Sequence, residues 1–292
     1  GLFMLDSQRT TSLLLCLFLV CLFLVFLPFA SMSRVPGEPL TLGDGRVAKS
    51  PSTGHIFSCP VRGGGPTGGA HRSGPWIRDN QWHPNEKPKV EGRVSWSSRF
   101  TATLEGSSRV VRSNVLPNTL TGEFPVRRGP RAFQFDRNPN SLREHNIVLW
   151  LPASPTMLAS PECVPMGIIG IALNGAAIFS ALDALGRDAP AYEVQDVCGG
   201  HPERSGMYHI HDWSPCLPDT GVIGWMIDGH PILGPRFPDG RWVRNGDLDE
   251  CHGAISDYEL EGQQRRGYAY RFTLEFPYTV GCFRAAPVRA QR

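Results

Sequence analysis

A tandem duplication between Cys163 and Cys282 constrains the fold more than any other feature of this chain. CVPMGIIG at 163–170 returns as CLPDTGVIG at 216–224, and ALNG at 172–175 returns as MIDG at 226–229. DVCG at 196–199 returns as DECH at 249–252, and the stretch around Tyr208 is matched by the stretch around Tyr268. The order is kept four times, with offsets of 53, 54, 53 and 60 residues. Chance matches would not stay in register, so this half of the chain is read as two copies of one unit.

Asn-Gly or Asp-Gly between apolar runs is the strongest short signal for a β-hairpin, with a type I′ turn expected. Each unit is therefore predicted to open with a hairpin, over 168–179 and over 222–233, and to carry its Tyr-containing stretch as a later strand. Only the first unit has a helical stretch between them, near Ala191–Val197. Upstream, residues 94–96, 100–104, 109–111, 133–135 and 147–151 read as strands, with Gly106 turning a hairpin. The chain holds 32 Gly and 26 Pro, which favours many turns over long helices. The expected fold is mainly β. It has duplicated hairpin units packed in a sandwich-like way about an approximate two-fold, one or two short helices, and a smaller β region in front.

At the N-terminus, residues 13–30 carry no charge. So long an apolar run predicts a signal peptide or a membrane anchor over 1–32, hence a membrane contact and an extracytoplasmic body. A Pro/Gly/Ser-rich linker is expected over 33–55, an N-terminal β extension over 56–160 and the duplicated domain over 161–286. The glycine-rich run 63–74 lacks both the Lys-Ser/Thr ending of a phosphate loop and GxGxxG spacing, and reads as a plain loop. A net charge of +2 gives no basic face for nucleic acid.

Two of the eight cysteines, Cys16 and Cys21, lie in the apolar run. The other six form no CxxC pair and predict disulfides. Symmetry of the repeats suggests Cys198–Cys216 and Cys251–Cys282, which leaves Cys59–Cys163.

Candidate chemistry centres on Tyr208-His209-Ile210-His211. Residues two apart on a strand share a face, so His209 and His211 project together, as two imidazole ligands of zinc, copper or iron would. The competing reading is a histidine pair hydrogen-bonded on a sheet surface. Asp196 and Asp249 hold matching places in the repeats, and with His201 they would complete a mixed nitrogen–oxygen metal site. Loop capping is the other reading of each aspartate. Tyr208, Tyr270, Arg271 and His252 are candidates for ligand contact. Asp247-Leu248-Asp249-Glu250 lacks the spacing of a calcium loop. No GxSxG or HExxH motif points to a hydrolase, so enzymatic activity stays open beside a metal-binding module and a structural or interaction module. For the last of these, a protein or glycan partner is expected.

GMYHIH at 206–211, SPCL at 214–217, GWMIDGHPILGP at 224–235, DLDECHG at 247–253 and FPYTVGCFR at 276–284 occur in this order, preceded by EVQDVCGGHP at 193–202. In this the chain resembles the YHYH domain family over roughly residues 160–286. The upstream GPWI at 74–77 and Lys87-Pro88 look like the N-terminal extension of many members. The resemblance implies a secreted or envelope-located domain, no established activity, and a strand suited to metal or ligand binding. The chain departs from the pattern in its second copy, where Tyr268-Ala269-Tyr270-Arg271 has lost both histidines. Any metal must then rest on the first repeat. Arg271, in a vacated histidine position, is expected to bind an anion or to pair with Asp249.

Overall fold

Short β-branched and aromatic runs broken by Gly, Pro and Asp give many brief strands and almost no helix. The computed structural model describes residues 38–60, 70 and 72–290. The apolar segment and most of the glycine-rich loop lie outside them, and no described helix is long and apolar enough to cross a membrane.

Residues 40–82 carry the two-residue strands β1 (Leu40–Thr41), β2 (Val47–Ala48), β3 (Ile56–Phe57), β4 (Ile77–Arg78) and β5 (Gln81–Trp82). The stretch expected as a linker thus contains two paired strands, with β1 on β5 and β2 on β3. Next come β6 (Phe100–Glu105), β7 (Ser108–Ser113) and β8 (Ile147–Pro152), an antiparallel sheet with the predicted turn at Gly106. Val94 makes only an isolated bridge to Thr121.

Two local expectations change. Residues 131–134 form a 3₁₀ turn where a strand was expected, because Pro130 starts it and the Phe133 and Phe135 amides bond back three residues. The helix expected over 191–197 is one turn, α1 (Ala189–Tyr192), and Glu193 is already extended. The buried ammonium of Lys87 holds the Pro190 and Glu193 carbonyls and the Gln195 side chain in that extended path.

The duplicated region supplies β9 (Ile168–Ala172), β10 (Ala177–Phe179), β11 (Gly200–Pro202), β12 (Tyr208–Ile210), β13 (Val222–Met226), β14 (Pro231–Leu233), β15 (Gly253–Leu260) and β16 (Gln263–Arg271). They form one sheet in the order β11-β12-β10-β9-β13-β14-β16-β15. The units therefore join edge to edge through β9 and β13, rather than facing each other as two layers. Gly224 pairs with Ala172, Trp225 with Ile171 and Met226 with Gly170, so the pseudo-two-fold passes through the Ile171–Trp225 pair. β7 and β8 share a core with this sheet through Val111, Leu149 and Leu151, together with Ile171, Ile223 and Met226.

Both predicted hairpins form, but their turns are not type I′. Gly175 and Gly229 take positive φ (91° and 92°) while Asn174 and Asp228 do not. The Gly175 amide bonds to the Ala172 carbonyl, and Ala172 to Ala176, which defines a three-residue loop with glycine in the left-handed position. The Asn174 and Asp228 side chains accept the amides of Ala176 and His230, two residues on, and this favours a type I first turn. Glycine is required: a Cβ on Gly229 would meet the Pro152 carbonyl at 2.7 Å.

Three disulfides form as the repeat suggested: Cys59–Cys163, Cys198–Cys216 and Cys251–Cys282. They are compatible with an oxidising, extracytoplasmic compartment.

Candidate metal centre

β12 lies between β11 and β10, and the pleat sorts its side chains. His201 of β11 stands directly across from His209 of β12. His211 follows two residues later on the same face. All three are buried, at 3% exposure, and one ring nitrogen from each lies within 4.8 Å of the others. Phe179 of β10 stacks on the His209 ring at 4.0 Å. Tyr208, on the opposite face, is buried against Leu116, Leu142 and Ala176.

The hydrogen bonds fix the tautomers. His209 Nδ1 is 3.2 Å from the Met207 carbonyl, and His211 Nδ1 bonds to the Ser180 carbonyl. A carbonyl only accepts, so both Nδ1 atoms carry a proton. In the neutral rings both Nε2 atoms then present lone pairs, and these nitrogens are 3.0 Å apart. Two buried lone pairs repel at that distance unless a cation lies between them. Ligands about 2.0–2.1 Å from a tetrahedral zinc ion are separated by roughly 3.3–3.4 Å, so the two nitrogens need open by only a few tenths of an ångström to hold one. A second nitrogen donating to a backbone carbonyl is the usual support of a metal-bound histidine.

The fourth group is Glu193, which the sequence reading did not single out as a ligand. Its Oε2 lies 3.2 Å from His211 Nε2 and 3.4 Å from His201 Nε2. That oxygen and both ring nitrogens of His201 are buried without a hydrogen-bond partner. Glu193 is set in place by backbone contacts of its neighbours. Besides the Lys87 clasp, the Asp136 carboxylate accepts the Val194 amide at 3.0 Å. Asn138 reaches from the same segment to the Pro202 carbonyl.

Burial alone would raise the Glu193 carboxyl, but the imidazoles of His201 and His211 beside it hold it well below the usual range. Burial, and then the neighbouring His201 and His211, push His209 well below the ordinary imidazole value. His209 is thus neutral and able to ligate. Burial also works against charge on His211, yet the neighbouring Glu193 carboxylate leaves it raised. The cluster as a whole calls for one internal positive charge, a metal ion or a proton.

The other sequence candidates are not brought to this centre. Asp196 accepts the amides of Cys198, Gly200 and Gly122 and the Tyr208 hydroxyl. Asp249 does the same for Cys251, Gly253 and Tyr268. Each caps the loop into an edge strand, β11 or β15, at opposite edges of the sheet, so the two do not share a site. His252 Nε2 faces the Thr273 hydroxyl at 3.0 Å, and burial lowers its pKa to about 3. Tyr270 donates to Asp228 at 2.6 Å. Arg271 is buried and points toward the Gly234 and Arg236 carbonyls, not toward Asp249.

A cavity of about 850 Å³ adjoins the cluster and is lined in part by Glu193, His201, His209 and His211. No family model, no curated protein and no solved structure matches the chain.

Proposed function

We propose that this chain is an exported metal-binding protein of the YHYH domain type, holding a transition-metal ion on His201, His209, His211 and Glu193. The observation that carries the reading is the pair of inward Nε2 atoms 3.0 Å apart, each with its Nδ1 proton committed to a carbonyl. Three imidazoles and one carboxylate suit zinc, copper or iron, and disfavour calcium or magnesium. The most distant ligand atoms must draw in, since their spread of up to 4.8 Å exceeds the roughly 3.4 Å between ligands of a tetrahedral ion. His201, with no hydrogen bond to break, is the ring free to do so. Export is supported by the apolar N-terminal run and the three disulfides.

The competing reading is a structural module in which a shared proton, held by Glu193, occupies the place of the metal. The raised His211 supports it. Metal content by mass spectrometry separates the two, comparing the exported protein with its His209→Ala/His211→Ala variant. Near one metal per chain in the first and under a tenth in the second, with near-UV circular dichroism unchanged, is the expected outcome. A metal-free protein that stays metal-free after incubation with zinc, copper and iron(II) salts would leave the proton reading.

A further inference from the structure

The cavity beside the histidines is graded from its floor to its rim. Its floor is the buried His/Glu cluster, its middle is apolar through Phe179, Leu182 and Met207, and Arg137 and Arg204 line it while remaining exposed. Four carboxylates also line it, but each is already engaged. Glu193 belongs to the cluster. Asp136 accepts the amides of Asn138 and Val194. Asp183 is bound by Arg187 at 2.6 Å, and Glu203 accepts the Ser205 amide. Among the described residues neither Arg137 nor Arg204 has a carboxylate partner, and Arg137 lies over the Phe133 ring at 5.5 Å. The oxygens of the acids are taken up by hydrogen bonds or ion pairs within the protein and the two guanidiniums are not, so the rim offers an entering anion two uncommitted cationic donors.

We propose that this cavity binds a small organic anion with an apolar body. Its carboxylate or similar group meets Arg137 and Arg204, its body lies along Phe179, Leu182 and Met207, and its far end sits over the histidine cluster. A guanidinium pairs with such a group through two parallel hydrogen bonds, and pockets of this volume commonly enclose ligands of that size. The inference rests on the metal reading for what the far end meets, and on the rim and walls alone for the class of ligand.

The probes are 2-naphthoate and octanoate, each beside its neutral alcohol, titrated calorimetrically into the exported protein with metal content measured on the same samples. At least tenfold tighter binding of each acid than of its alcohol is expected. The Arg137→Gln/Arg204→Gln variant should bring that ratio close to one, leaving alcohol affinity and metal content unchanged. Acid and alcohol bound equally by the wild type, or none bound by metal-loaded protein, would overturn the proposal while the metal reading stands. So would a preference that survives in the arginine variant but disappears when a chelator strips the metal, since the carboxylate would then be a metal ligand. A protein without metal sinks the earlier reading, and the arginine-dependent ratio still decides this one.

Discussion

The two repeats have the same topology and differ in what they carry. Asp196 and Tyr208 in the first correspond to Asp249 and Tyr268 in the second, each pair hydrogen-bonded at 3.0 Å. Gly200 and Gly253 pair across from Ile210 and Tyr270 at the same register. In both, a tyrosine ring covers the glycine: a Cβ would lie 2.2 Å from Tyr208 in one and 2.4 Å from Tyr268 in the other. The chemistry-bearing positions do not match. His201, His209 and His211 have Ala254, Ala269 and Arg271 as their counterparts at equivalent register. The loop of Glu193 is replaced by one where Asp247 is tied to Arg241 at 2.9 Å. Arg271 reaches the Gly234 carbonyl, the counterpart of the Ser180 carbonyl that fixes His211. A long cationic side chain thus fills the place where the first repeat holds a cluster in need of a positive charge. The frame needs the Asp–Tyr–Gly set in both copies, and the site is an addition to one.

If that division is right, the largest effects belong to the first repeat's added residues. Glu193→Gln keeps the size of the side chain and removes its charge. Metal affinity should fall by at least the roughly 10- to 100-fold typical of losing even an outer partner of a metal site. Competition against a chromophoric chelator measures it. Unchanged affinity would place Glu193 among the loop residues and leave a three-histidine site.

The turn residues offer a second contrast, Asn174 against Asp228. Burial raises the Asp228 carboxyl to about 6, opposed by hydrogen bonds from Tyr270, His230 and Ala285. A carboxyl that holds its proton more tightly folded than unfolded stabilises the fold fully below its unfolded value of 3.8 and loses that contribution as pH rises through about 6. The two values differ by about 2.2 units, so about 3 kcal/mol separates pH 3.5 from pH 8 at this residue. Asp228→Asn, which copies the first repeat, removes this dependence. Its urea midpoint relative to wild type should rise from about pH 4 to about pH 6 and stay level above that. A constant difference between the two proteins would mean that the Asp228 carboxyl keeps its unfolded pKa in the fold.

The frame was more legible in the sequence than the site. Hairpins and disulfide partners follow from local turn residues and from symmetry, and both are repeated, so each copy corroborates the other. The turn type was not legible, because Asn-Gly and Asp-Gly suit either turn until the side chain's bond to the second amide decides. His209 and His211 announce themselves by spacing on one strand. Glu193 does not, since nothing local links it to residues 8 to 18 positions on. It arrives because Lys87 and Asp136, from an upstream segment, hold its loop extended. The usable signal was the asymmetry itself: a residue beside the shared Asp-x-Cys that lacks a like neighbour in the second copy. Asp196 and Asp249 misled for the converse reason, since positions kept in both copies serve the frame.

The paired tyrosines measure that frame directly. Asp196 is nearly all buried and Asp249 less so. Tyr208→Phe leaves a buried carboxylate short of one donor and should cost about 1–2 kcal/mol. Tyr268→Phe should cost about 1 kcal/mol or less, because water can reach Asp249. Chemical denaturation ranks the two, and a larger loss at Tyr268 would reverse the view that the first repeat is the more tightly held.

The smallest effect is expected at Arg271. Its guanidinium is buried, has one nitrogen without a partner, and makes two long contacts to carbonyls at 3.4 and 3.3 Å. Burial lowers its pKa, and Asp247 offsets this only partly. Its apolar company is the Phe237 ring at 4.8 Å. Replacing a poorly compensated buried charge by an apolar side chain of similar length is often neutral or stabilising. Arg271→Met should therefore move stability by no more than about 1 kcal/mol, the gain from desolvation offset by two carbonyls left without a donor. Metal content should not change, because the first repeat's ligands are all its own. A loss of metal in Arg271→Met would show that the two copies act as one site across the sheet, and the contrast between a bare frame and a furnished one would have to be abandoned.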